Sequence, residues 1–225
     1  MKESEEIVKL LQQLHSDQNI AGMKRFGIAS DNMYGVSVTT LRKIAKTYKK
    51  NHELALELWK IGALETRMLA TLIDEKEKVT KRQMDEWTRV FDNWAVCDGA
   101  CFNLFRYLSF ADAKVYQYAK SNEEFVRRTA FSLIAGMAIG VKSLDDSVFL
   151  PYLDLIVNYS EDERNFVRKA VNWALRQIGK RNKFLHKEAL KIAKQLKESE
   201  NKTARWIGSD AYRELTNPKI IARIK

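Results

Sequence analysis

The sequence predicts an all-α protein, a solenoid of antiparallel helix pairs. Three observations carry this. Proline and glycine are scarce, 2 and 9 in 225 residues, so turn-rich β folds are disfavoured. Apolar residues recur at spacings of three and four almost throughout, and no stretch shows sustained strand-like alternation. A motif also recurs at a fixed interval. EEFVRRTAFSLIAG and RNFVRKAVNWALRQIG carry it from Phe125 and Phe166, 41 residues apart, with a weaker echo in ETRMLATLI at 65–73. That interval is the length of a HEAT or armadillo unit, about 40–47 residues. One such unit cannot bury its apolar face alone, so units stack. The alternative is an irregular bundle with two coincidentally similar helices; period, pairing and motif together favour a HEAT-like α-α superhelix over residues 1–225.

In chain order, the periodicity predicts helices at 3–15, 19–26, 38–50, 52–61, 64–76, 81–92, 94–108, 110–120, 123–138, 146–158, 161–179, 183–198 and 202–215. Most links are short. The exception is IASDNMYGVS at 28–37, read as an ordered loop around Asn32 and Gly35. Asp92 or Asn93 is placed to cap the helix that follows. On that helix Cys97, Cys101, Leu104 and Leu108 form the buried stripe, which makes the two cysteines small core residues. His15, His52 and His186 are too far away in sequence to complete a metal site with them, so no metal and no other cofactor is expected.

Composition narrows the function. Hydrophobic residues are 45% and charged residues 30%, the balance of a folded globular chain. No run approaches the ~20 apolar residues of a membrane span. The first residues, MKESEEIVKLLQQLHSDQ, lack the apolar core of a signal peptide, so the expectation is cytoplasmic, without a membrane partner. The net charge of +10 fits a polyanionic partner.

Placement of the charge sharpens this. In the helix at 161–179, Val167, Val171, Ala174 and Ile178 share one face; Lys169, Trp173, Arg176 and Lys180 share another, about 200° round. In the helix at 123–138, Val126, Ala130, Leu133 and Met137 make the core stripe and Arg128 faces away from it. The repeat interval makes Arg128 and Lys169 equivalent. Successive repeats presenting a cation from one face track a phosphate backbone. With Arg127 and Arg181, these residues are the candidate DNA contacts. The expected arrangement is a right-handed stack with Lys169, Trp173, Arg176 and Lys180 lining one concave face. For any single cation, and for Trp173 as a packing residue, a structural role competes. Trp94 and Asp98, four apart, lie one above the other on the flank of their helix; by spacing alone Asp98 is as well read as a cap or an ion-pair partner.

The runs NWAVCDGACFNLF, EEFVRRTAF, DERNFVRKAVNWALRQIGKRN and NKTARWIGSDAYREL resemble the DNA alkylation repair family of DNA glycosylases. The resemblance runs from about Gly35 to Leu215 and is strongest from Trp94 to Asn182. It implies a HEAT array around duplex DNA and excision of cationic N3- and N7-alkylated purines, such as 3-methyladenine and 7-methylguanine, without a base-flipping pocket. It also implies a site of Trp94, Asp98, Arg128 and Trp173, the tryptophans holding the lesion sugar and Arg128 its flanking phosphate. The chain departs from the family's motif at Asn93 and Ala95, where an aromatic and an acidic residue flank the tryptophan.

The chemistry suits a carboxylate. Alkylation at N3 or N7 makes the purine a cationic leaving group; an anion stabilises the cation-like sugar and orients water, which is the role assigned to Asp98. Three functions stand at this point: an alkylpurine N-glycosylase acting as a monomer on double-stranded DNA, a non-catalytic binder of branched or distorted DNA, and a scaffold for an acidic protein.

Overall fold

The computed structural model describes residues 2–28, 30, 32–48 and 50–224. Among them the only regular structure is helical. The helices are α1 (Glu3–Gln13), α2 (Asp17–Arg25), α3 (Val38–Tyr48), α4 (His52–Ile61), α5 (Leu64–Ile73), α6 (Lys81–Arg89), α7 (Trp94–Asn103), α8 (Ala111–Ala119), α9 (Glu124–Gly140), α10 (Leu150–Asn158), α11 (Asn165–Gly179), α12 (Lys183–Lys197), α13 (Lys202–Leu215) and α14 (Pro218–Ile221). Polar caps set many of the starts. Ser16, Asn51, Thr80, Asn93, Asn182 and Asn201 each accept a first-turn backbone N–H, satisfying donors a helix leaves orphaned. None of these helices is long and apolar enough to cross a membrane.

Most ends shift by up to three residues, and three predicted helices differ by four or more, each for a local reason. The helix expected at 94–108 ends at Asn103; Leu104 leaves helical geometry (φ −130°, ψ −61°) and a 3-10 turn, Phe105–Tyr107, follows. The break turns Phe105 fully into the core, against the Trp87 and Phe91 rings. The helix expected at 146–158 is a 3-10 turn, Asp146–Phe149, followed by α10, because Pro151 fits only the first turn of a helix. The helix expected at 161–179 starts at Asn165, since the Asp162 carboxylate folds back on the Arg164 amide at 3.1 Å. The four-residue α14 was too short for periodicity to reveal, and part of the 38–50 prediction, Lys49, lies outside the described residues.

The helices form two compact units, Met1–Leu108 and Ser109–Lys225. In the first, α4 packs on α5 through the link Gly62–Ala63, and α5 packs on α3 and α7. Trp59 of α4 and Trp87 of α6 stack with centroids 3.9 Å apart and planes within 2°, and Phe91 meets Trp59 edge-on at 6.1 Å. The described part of the 28–37 loop is ordered as expected. The fully buried Glu65 carboxylate of α5 accepts from the amides of Tyr34 (2.9 Å), Gly35 (2.7 Å) and Val36 (3.0 Å). Gly35 is required there: its φ is +76°, and a Cβ would fall 2.3 Å from the Ser16 carbonyl oxygen. Positions 29 and 31 of that loop lie outside the described residues.

In the second unit α9, α11 and α13 follow one another in one row, and α8, α10 and α12 form a second row behind them. Tyr152 of α10 donates to Asp112 of α8 at 2.6 Å, joining the back row. The predicted core stripes of α9 and α11 are all buried. The repeat motif is itself a joint: Phe125 and Phe166 meet with ring centroids 5.2 Å apart, and Glu124 accepts from the Phe166 amide at 3.1 Å.

Candidate nucleic-acid interface

In the first unit the candidate residues stand at the start of α7. Asn93 caps it, its Oδ1 accepting from the Val96 amide at 3.1 Å, and is only 1% exposed. This accounts for one departure from the expected motif: the position is an interior cap, not an exposed aromatic surface. Trp94 and Asp98 follow, one turn apart and both half-buried. Asp98 is the single charged residue of WAVCDGACFN, a helix otherwise of small, apolar and amide side chains. Trp94 is pinned, its Nε1 donating to the Phe26 carbonyl oxygen at 3.0 Å. With its polar edge taken, the ring itself is what Trp94 offers. Phe26, at the end of α2, is 78% exposed. The buried stripe expected on this segment holds: Cys97, Cys101, Leu104 and Leu108 are all interior, and both cysteines are free thiols.

The other candidates lie in the second unit. On α11, Lys169 is exposed and Trp173, Arg176 and Lys180 are half-buried. The Gln177 amide, oriented by its neighbours, accepts from Trp173 Nε1 at 3.1 Å and from Lys180 Nζ at 2.9 Å. Trp173 thus also has its N–H satisfied. Arg176 Nη1 and Lys180 Nζ share the Glu214 carboxylate of α13, and Arg176 Nε lies 3.8 Å from Asp210, which also receives Asn172 at 2.8 Å. Burial pushes the Glu214 carboxyl up, but hydrogen bonds from Lys180 and Arg176, and their charges, outweigh it and hold the group below its ordinary value.

Three arginines read from the sequence as outward-facing turn inward. Arg128 is 5% exposed, with Nη1 donating to the Phe166 carbonyl oxygen at 2.6 Å, so it ties α9 to the start of α11. Arg127 pairs with Asp162 at 2.6 Å, donates to the Ala119 carbonyl at 2.9 Å and lies over the Tyr159 ring at 4.9 Å. Arg164 grips the same Asp162. Burial raises the Asp162 carboxyl, and the Arg164 and Arg127 hydrogen bonds bring it below its ordinary value. The Arg181 side chain, 6% exposed, donates to the carbonyls of Ala138 (3.1 Å) and Leu144 (2.8 Å) and pairs with Asp146 at 3.3 Å. Arg127 and Arg181 lie where the ends of α8 and α9 leave carbonyls to satisfy and a carboxylate is at hand, and Arg128 reaches a carbonyl in the first turn of the neighbouring α11. Lys169 is the stripe residue left fully open to solvent.

Sequence reasoning missed the acidic partners Asp210 and Glu214. Their signal was present: they are four apart on α13, and each lies 38 residues beyond its partner, Asn172 and Arg176. Among the described residues no group of three or more His, Cys, Asp or Glu is placed to hold a metal ion.

The family model for the DNA alkylation repair enzyme matches residues 7–215. Among solved structures, one belongs to a new family of proteins related to the HEAT-like repeat DNA glycosylases with affinity for branched DNA structures. It is 18% identical, covers 94% of this chain and 95% of its own, and superposes with a TM-score of 0.78, a likeness of fold. A designed armadillo repeat protein in complex with the peptide (KR)4 is 15% identical over 96% of this chain and 85% of its own, with a TM-score of 0.40. A sequence comparison with curated proteins finds no match.

Proposed function

This chain belongs to the DNA alkylation repair enzyme family, and from that premise we propose that it is a DNA N-glycosylase that removes cationic N3- and N7-alkylated purines from duplex DNA. The observation that carries this reading is the Trp94–Asp98 pair: one carboxylate on an otherwise uncharged helix, one turn from a tryptophan whose N–H is already engaged. The C1′–N bond breaks with its electron pair passing to the purine, which neutralises the positive charge of the base. The sugar left behind is cation-like, and the Asp98 carboxylate stabilises it. Water then adds to C1′ and its proton passes to solvent, so no metal or redox group takes part. The Trp94 ring packs against that sugar, and Lys169, Trp173, Arg176 and Lys180 are assigned to the DNA backbone, whereas Arg128, buried and bonded to the Phe166 carbonyl, is left to hold α9 on α11. Only labile, already cationic bases leave, since no group here is assigned to protonate a neutral one.

The test is release of 7-methylguanine and 3-methyladenine from methylated duplex DNA by the wild type and by Asp98→Asn. The expected result is release by the wild type and a loss of about 100-fold or more in the variant, the scale of removing one transition-state partner. DNA affinity should stay equal or rise, because the carboxylate repels phosphates in the ground state. A wild type that releases neither base is not a glycosylase of this class.

A second reading rests on the neighbour with affinity for branched DNA and on Asn93 serving as an interior cap. Under it the same cations bind junctions without excision. Tight binding to a four-way junction together with no base release selects it.

A further inference from the structure

At the far end of the α11 stripe the second unit has a recess of about 540 Å³ lined by Lys142, Leu144, Asp145, Asp146, Lys180, Arg181, Asn182 and Arg223. Its cations come from three segments: the loop after α9, the end of α11, and the chain beyond α14. Two of them are occupied. Arg181 pairs with Asp146 and donates to the Ala138 carbonyl in the last turn of α9. Lys180 is held by Glu214. The other two, Lys142 and Arg223, are exposed, and among the described residues the side chain of neither makes an ion pair or hydrogen bond. Asp146 is neutralised by Arg181 and receives Asn182 at 2.6 Å. Asp145 is turned to the Ser147 amide at 2.8 Å. The recess is therefore a built basic hollow with two cations unengaged.

We propose that this recess binds a phosphodiester of a nucleic-acid strand that runs along α11, with Lys142 and Arg223 as the phosphate ligands. The inference rests on the DNA reading above and extends it to a site that the repeat motif does not include. Continuity carries it. Lys180 both ends the stripe and lines the recess, and Lys169 lies roughly 16 Å back along the helix at 1.5 Å per residue. A backbone lying on Lys169 and Trp173 thus meets the recess a few nucleotides further on. A carboxylate partner would be drawn by the same charge, but cations set along α11 and on into the recess match the successive phosphates of a polynucleotide.

The experiment measures the affinity of the full chain for a 20-base-pair duplex across a salt series, comparing wild type, Lys142→Ala/Arg223→Ala, Asp145→Asn and Lys169→Ala. Both substituted cations are exposed, so the double variant should unfold at the wild-type temperature. Its slope of log Kd against log salt should be shallower by about 2, at roughly 0.9 per phosphate contact. Asp145→Asn should bind more tightly than wild type. A double variant with the wild-type slope and affinity, while Lys169→Ala shows a shallower slope, overturns the recess and leaves the DNA reading standing. A wild type with no salt-dependent binding overturns both. Because the readout is binding, absence of base release touches only the glycosylase assignment.

Discussion

Helices α9 and α11 share a motif and stand next to each other in one row, yet twelve of the 17 residues of α9 are buried and only eight of the 15 of α11. The consequence falls on the equivalent pair Arg128 and Lys169. The first is a staple between helices; the second is open to solvent. Repeat equivalence fixes where a backbone position lies, and the rest of the helix decides what surrounds its side chain. After Arg128, α9 reads TAFSLIAGMAIG without a charge, whereas α11 goes on through Trp173 and Arg176. A long cation at the head of an uncharged helix is held inside by hydrogen bonds to carbonyls.

That contrast can be broken most directly at Arg128. Arg128→Ala should cost about 2 kcal/mol, the scale of a buried hydrogen bond from a charged donor, read as a lower urea midpoint. Unchanged stability with weakened DNA binding would put Arg128 in the same class as Lys169. At Lys169 the reverse is expected. Lys169→Ala should leave the unfolding temperature within error and reduce the salt slope of duplex binding by about 1. A smaller effect of opposite sign is expected opposite the stripe. Glu214 engages Arg176 and Lys180, so Glu214→Gln should free them and tighten DNA binding by a factor of about three, the worth of one partly exposed ion pair. No gain would mean that the two cations do not reach DNA.

The smallest effect concerns acid. Both Glu214 and Asp162 have values lowered in the folded state, so their contribution is complete above their ordinary values of 4.5 and 3.8 and fades as pH falls through the lower folded ones. Stability measured from pH 5 downward should decline less steeply in Glu214→Gln than in wild type.

The fold was largely legible because helical periodicity is local. The starts at Glu3, Val38, His52, Leu64, Lys81, Trp94, Lys183 and Lys202 agree with the predicted ones, as do the core stripes of α9 and α11. The exceptions were tertiary or steric. Phe105 is buried only if the chain turns at Leu104, and Pro151 displaces the start of α10. The candidate site was legible in part. Trp94 and Asp98 do share a flank of α7, and Asn93 is its cap. Arg127, Arg128 and Arg181 were read as surface cations because a helical wheel carries no information about the carbonyls and carboxylates of neighbouring segments.

Glu65 has a consequence for exchange with solvent. The amides of Tyr34, Gly35 and Val36 lie outside any helix, where protons ordinarily trade with deuterium quickly. Here all three point at one carboxylate with no exposed surface. Their exchange requires α5 to give up Glu65, so the three loop protons should be lost together, at the slow pace of the helix interior that holds them.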